Sequence, residues 1–69
     1  MIDKNGLKIT ARDRVLRAWQ NSTELVRDYQ SYAGETSDSK QLSAMFSRYA
    51  EEEAVHAAEL LKVLHEYDK

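Results

Sequence analysis

The sequence predicts an all-α chain, an antiparallel helical hairpin that dimerises into a four-helix bundle. Three observations lead there. Apolar residues recur at steps of three and four along two long segments, the period of a one-faced helix. A short polar stretch, too brief for anything but a tight connection, separates the segments. The two apolar stripes are also wider together than one hairpin can cover.

Residues 1–9 carry no sustained period and read as an N-terminal arm, with Leu7 and Ile9 placed to fold back on the first helix. The hairpin occupies residues 10–69, with helices expected at about 11–34 and 39–67. Thr10 followed by Asp13 has the spacing of a capping box, in a weaker form than the Ser/Thr-x-x-Glu version. The first stripe is Val15, Ala18, Trp19, Ser22, Leu25, Val26, Tyr29, Tyr32 and Ala33. Gly34 is well placed to take the left-handed conformation that ends many helices. Asp38 or Ser39 then starts the second helix, Asp38 having reciprocal spacing with Gln41. At the α-helical rise the two helices would be about 35 and 43 Å long. A connection of this length makes them antiparallel neighbours.

The second stripe, from Leu42, runs Met45, Phe46, Tyr49, Glu53, His56, Leu60, Val63, Leu64 and Tyr67. Trp19, Tyr29, Phe46, Leu60 and Leu64 cannot all be buried inside one hairpin. A two-fold homodimer covers them with a single self-complementary interface, the alternatives being a monomer whose arm covers the stripe and a higher assembly. No internal repeat is present, so the chain reads as one half of a bundle.

Composition narrows the functional classes. The 69 residues amount to one domain at most, and a lone chain of this size buries only about 60% of its unfolded surface. With no Cys, there is no disulfide framework and no thiolate zinc site. A hydrophobic content of 42% is too high for a disordered chain. The net charge of −2, with the signs interspersed, lacks the basic footprint of a nucleic-acid binder; Arg12, Arg14 and Arg17 are diluted by Asp13. No apolar run approaches the roughly 20 residues that cross a bilayer, and no signal-peptide core is visible, so a cytoplasmic protein without membrane contact is expected. There is no Gly-rich phosphate loop and no nucleophile–base–orienter set.

The chemistry centres on Glu53 and His56, set three residues apart within the apolar stripe. A carboxylate and an imidazole in such a row must be hydrogen-bonded, neutralised or metal-bound, because an unpaired buried charge is too costly. In a symmetric dimer two copies would bring two carboxylates and two imidazoles to the shared axis, a set suited to iron, manganese or zinc. A Glu can bridge two ions while each His caps one, so one or two ions per dimer are expected.

The stretch Phe46-Ser47-Arg48-Tyr49-Ala50-Glu51-Glu52-Glu53-Ala54-Val55-His56-Ala57-Ala58-Glu59-Leu60 resembles the second helix of rubrerythrin-type members of the ferritin-like superfamily. The resemblance covers about residues 18–64. It implies a bundle housing two metal ions between two Glu-x-x-His helices and two single-Glu helices, used for reactions of dioxygen or peroxide, iron oxidation and storage, or hydroxylation. It also implies Glu53 as a bridging ligand, His56 as a terminal ligand, and Tyr29 in the place of the family's first-helix Tyr. The family's first-helix Glu lies two turns before that Tyr, where this chain has Ser22. Glu24 is no substitute, since it lies roughly 150 degrees from the stripe centre. Gln20 and Asn21 stand off the face. A weakened dinuclear site, a single-metal site and an empty remnant are thus all open.

The competing expectation is a metal-free structural or protein-interaction dimer. In it Glu53, His56, Tyr29, Ser22 and their symmetry mates satisfy one another and set the bundle's register. Trp19, Phe46 and Tyr49 read as core. His65 falls off the stripe near a helix end, where a cation is mildly favoured. Glu51, Glu52 and Glu59 read as surface charges, with Glu52 the reserve ligand nearest the core edge.

Overall fold

The computed structural model describes residues 10–68, so the expected N-terminal arm lies outside the described residues. The chain forms two helices, α1 (Ala11–Glu35) and α2 (Lys40–Tyr67), with no strand among the described residues. The expected ends are met within a residue.

The starts obey the capping chemistry. The Asp13 backbone N–H donates to Thr10 Oγ1 at 3.1 Å, and the Thr10 N–H donates to Asp13 Oδ2 at 3.2 Å, a complete reciprocal box. At α2 the cap is Ser39, whose hydroxyl accepts from the Leu42 N–H at 3.3 Å. Asp38 plays no part in it. The expected glycine stop is incorrect. Gly34 lies inside α1 with negative φ, and the helix ends at Thr36, whose N–H and hydroxyl both donate to the Tyr32 carbonyl, at 3.0 and 2.8 Å. Two donors on one carbonyl satisfy the C-terminal turn without a left-handed residue.

The helices are antiparallel. Arg12 at the start of α1 forms a two-bonded ion pair with Asp68 after α2, Nε to Oδ1 at 2.8 Å and Nη2 to Oδ2 at 3.1 Å. At the other end the Ser43 hydroxyl donates to the Ala33 carbonyl at 2.8 Å. Both partners of the ion pair are exposed, so it contributes little stability and serves to mark the register.

The contact between the helices is narrow. The buried residues are Ser22 on α1 and Ala50, Ala57 and Leu64 on α2. With half-buried Ser43, the α2 residues repeat every seven positions, the 3.5-residue period of helices that wrap around each other. Small side chains at Ser22, Ala50 and Ala57 allow a close approach. The molecule measures 52 × 24 × 12 Å, so its thickness is that of one helix. The described residues form a single layer, and none of them covers either broad face. Large residues expected in a core, among them Trp19, Phe46 and Tyr49, are accordingly only half-buried. Neither helix is long and apolar enough to cross a membrane.

Two outcomes are expected for stability. Gly34→Ala should stabilise the fold by about 0.5–1 kcal/mol in urea unfolding, because an added Cβ meets nothing within 4 Å and φ is already helical. A glycine stop would give the opposite sign. Hydrogen bonds from Thr10 hold the Asp13 carboxyl below its ordinary range, and the Arg12 hydrogen bond does the same for Asp68. Depressed carboxyls stabilise fully above the unfolded aspartate value of about 3.9, and that stability is lost as pH falls through the lower folded values. Unfolding monitored from pH 6 to 2 should therefore show a steeper acid loss for the wild type than for Asp13→Asn/Asp68→Asn.

Candidate metal centre

Glu53 and His56 lie on consecutive turns in the middle of α2, where the ladder of backbone hydrogen bonds is continuous. Their Oε1 and Nδ1 atoms are 3.5 Å apart. That is long for a hydrogen bond. It is close to the roughly 3.4 Å that separates two donors of a tetrahedral ion at bond lengths of about 2.1 Å. The separation is that of an i,i+3 Glu–His ion pair, and it also matches two donors of one ion.

The expectation that both side chains are buried holds only in part. The Glu53 side chain is 18% exposed, but that of His56 is 60% exposed. The physical reason is the position of α1. The inner row of α2, which faces α1, is Ser43, Ala50, Ala57 and Leu64, and Ala57 occupies the buried place beside His56. The row Leu42, Phe46, Tyr49, Glu53, His56, Leu60, Val63 and Tyr67 lies about a quarter-turn round the helix. Glu53 is on the inner side of this row and His56 on the outer. One uncovered face of the hairpin therefore carries the whole candidate site.

The same face is rich in large apolar groups. Of the six large hydrophobic residues exposed among the described residues, five lie on it: Leu25, Tyr32, Leu42, Val63 and Tyr67, while Val55 points elsewhere. An aromatic cluster joins the helices on the loop side of the site. The Tyr29 ring stacks on Phe46 with centroids 6.2 Å apart and meets Tyr49 edge-on at 5.7 Å; Tyr32 meets Phe46 at 5.4 Å. Tyr49, one turn before Glu53, is thereby braced against α1.

The remaining candidate residues are scattered. Ser22 is 7% exposed. The register set by Arg12–Asp68 and Ser43–Ala33 places it level with His56 and Ala57. Glu24, His65, Glu51 and Glu59 are exposed. Glu52, the reserve ligand, points to solvent with its side chain 62% exposed and leans on Arg48 at 3.9 Å. Arg48 in turn lies over the Tyr49 ring, 5.6 Å from its centroid. Among the described residues no group of three or more His, Asp or Glu gathers to hold an ion. One chain thus brings two such donors together.

The seam through Ala50 and Ala57 is hard to see in the sequence, although a signal for it is present. Ser43, Ala50, Ala57 and Leu64 are spaced by sevens, but small residues carry little hydrophobic weight in a periodic pattern. The Arg12–Asp68 pair, 56 residues apart, has no local signal.

No protein-family model matches this chain, and no curated protein or solved structure does so. The likeness to ferritin-like proteins therefore rests on the motif residues alone.

Ala57→Leu tests the position of the seam. Overpacking a buried contact should cost about 1–3 kcal/mol in denaturant unfolding, whereas Val55→Ala, on an exposed surface, should stay within about 0.5 kcal/mol.

Proposed function

We propose that this chain binds a divalent transition metal, iron, manganese or zinc, through Glu53 and His56 contributed by two copies that close a ferritin-like four-helix bundle. The observation that carries the reading is the half-set of ligands: a carboxylate and an imidazole at ion-sharing distance on an uncovered apolar face. A second copy supplies the missing donors and covers the face in one step. Each of the two needs is met by the same partner.

Within the site, Glu53 contributes negative charge and two oxygens able to reach neighbouring ions. His56 contributes a neutral, borderline-soft nitrogen. Aromatic rings on the loop side exclude water from one flank of the pair. A bound ion would supply Lewis acidity and, if iron or manganese, access to a second oxidation state. Ser22 restricts redox chemistry at such a site, because a neutral hydroxyl cannot balance the charge of an oxidised ion pair as a carboxylate would. Metal binding is therefore favoured over vigorous oxidation chemistry.

A second reading is favoured by that same serine: a metal-free structural dimer in which Glu53, His56, Tyr29 and Ser22 form a polar network between copies. The two readings separate cleanly in solution.

Elemental analysis and metal titration of the wild type and His56→Ala provide the test. Wild type should take up one or two ions per dimer, and His56→Ala should bind at least about tenfold more weakly. Metal should also raise the unfolding temperature and the dimer fraction, since the unfolded chain lacks the assembled site. Equal, negligible uptake by both proteins would favour the metal-free network. Ferrous oxidation in air that is lost in Glu53→Ala would establish an enzyme.

A further inference from the structure

We infer that the second copy docks antiparallel, α2 against α2, about a two-fold axis level with the Ala54–Val55 peptide, so that Glu53 of each copy meets His56 of the partner subunit. The inference rests on the dimer proposed for this chain and fixes its geometry.

The row Leu42, Phe46, Tyr49, Glu53, His56, Leu60, Val63 and Tyr67 has the same steps read in either direction. Any row with alternating steps of three and four is symmetric in spacing about each of its steps. Residue types decide which step is the centre. Turned about Ala54–Val55, the row pairs Glu53 with His56, Tyr49 with Leu60, Phe46 with Val63, and Leu42 with Tyr67. The one carboxylate of the row meets its one imidazole. Every remaining layer joins one aromatic to one aliphatic side chain, so volumes complement and no position overhangs. Moving the centre one step toward the N-terminus sets His56 against Phe46, and one step the other way sets His56 against Leu60 and Glu53 against Val63, at a desolvation cost with no compensating partner. A parallel two-fold pairing is worse, since it places Glu53 on Glu53, Phe46 on Phe46 and Tyr49 on Tyr49.

Charge at the edge of the row agrees. Arg48, lying over Tyr49 and leaning on Glu52, comes within two residues of the level of Glu59 in the opposed helix. That separation is about 3 Å along the axis, within reach of a guanidinium.

The first helix is compatible with the same axis. Its open-face row, Ala18, Ser22, Leu25, Tyr29 and Tyr32, is symmetric in spacing about the step from Ser22 to Leu25, whose midpoint lies between Thr23 and Glu24. Interpolation between the Arg12–Asp68 and Ser43–Ala33 pairs puts the Ala54–Val55 peptide level with Thr23 and Glu24. The two levels agree within a residue, about 1.5 Å. One perpendicular axis therefore serves both helices, as a closed two-fold interface requires. Leu25, Tyr32, Leu42, Val63 and Tyr67, left exposed in the single chain, all lie on the covered face.

The chain has no cysteine, so introduced ones report the pairing without interference. Tyr49→Cys and Leu60→Cys proteins are each oxidised with diamide in the presence of a chelator, alone and after mixing. In the antiparallel pairing Cys residues at identical positions lie about 16 Å apart along the axis, beyond the roughly 7 Å Cα reach of a disulfide. Linked dimer should form in the mixture at least about tenfold more than in either variant alone. Linked dimer from each variant alone would overturn the antiparallel arrangement. Leu42→Cys mixed with Tyr67→Cys repeats the test at the ends of the row, where both side chains are exposed and the fold tolerates change. Absence of linkage in both mixtures, in the chelator runs and in parallel runs with added manganese, with helicity retained by circular dichroism, would also overturn it. Because a chelator is present, linkage without metal uptake in the titration keeps this dimer and removes only the metal; uptake without linkage removes only this register.

Discussion

The close approach of the two helices at Ser22, Ala50 and Ala57 is the constraint on which the rest of the structure depends. Small side chains let the backbones come together, and the seven-residue spacing of Ser43, Ala50, Ala57 and Leu64 keeps the contact in line along α2. A seam built from serine and alanine buries little apolar area, so it cannot by itself supply a core. The larger residues are displaced to its flanks. The result is a layer one helix thick, with aromatic and aliphatic side chains on a face that none of the described residues covers.

That displacement also places the chemistry. Had α1 sat against the row containing Glu53 and His56, the pair would be sealed inside one chain, with an imidazole and a carboxylate deprived of solvent and of further ligands. Instead α1 takes the neighbouring row. Glu53 is largely shielded by the seam and His56 is left open. The pair stays solvated enough to exist in a lone chain, and it is presented in the middle of the surface that most needs covering. In the dimer proposed for this chain, apolar burial and ligand completion would favour the same assembly. Tyr29, Phe46 and Tyr49 brace one flank, which fixes the direction in which the half-site points.

Local signals carry much of the fold. The capping box at Thr10 and Asp13, the positions of both helices, and the short antiparallel connection are legible because each depends on neighbours a few residues away in sequence. Gly34 misleads for a related reason: a glycine near a helix end suggests a left-handed stop, but the hydroxyl and N–H of Thr36 satisfy the Tyr32 carbonyl and make that stop unnecessary. Ser22 is buried, as its phase at the centre of the α1 stripe predicts. A polar residue can occupy that place because its small size admits the opposing helix.

What the sequence by itself determined is the set of faces: which residues share a side of each helix, and hence that Glu53 and His56 stand together in an apolar row. Helical periodicity is a property of the local backbone, so it needs no knowledge of what lies opposite. Which of two adjacent rows on α2 meets α1 was decided only in the tertiary structure. The rows differ by about a quarter-turn, and hydrophobicity favours the row with the larger side chains. Steric fit favours the other, because only alanine and serine permit the helices to pack closely. Closeness of approach is a property of two surfaces together, and neither helix states it alone.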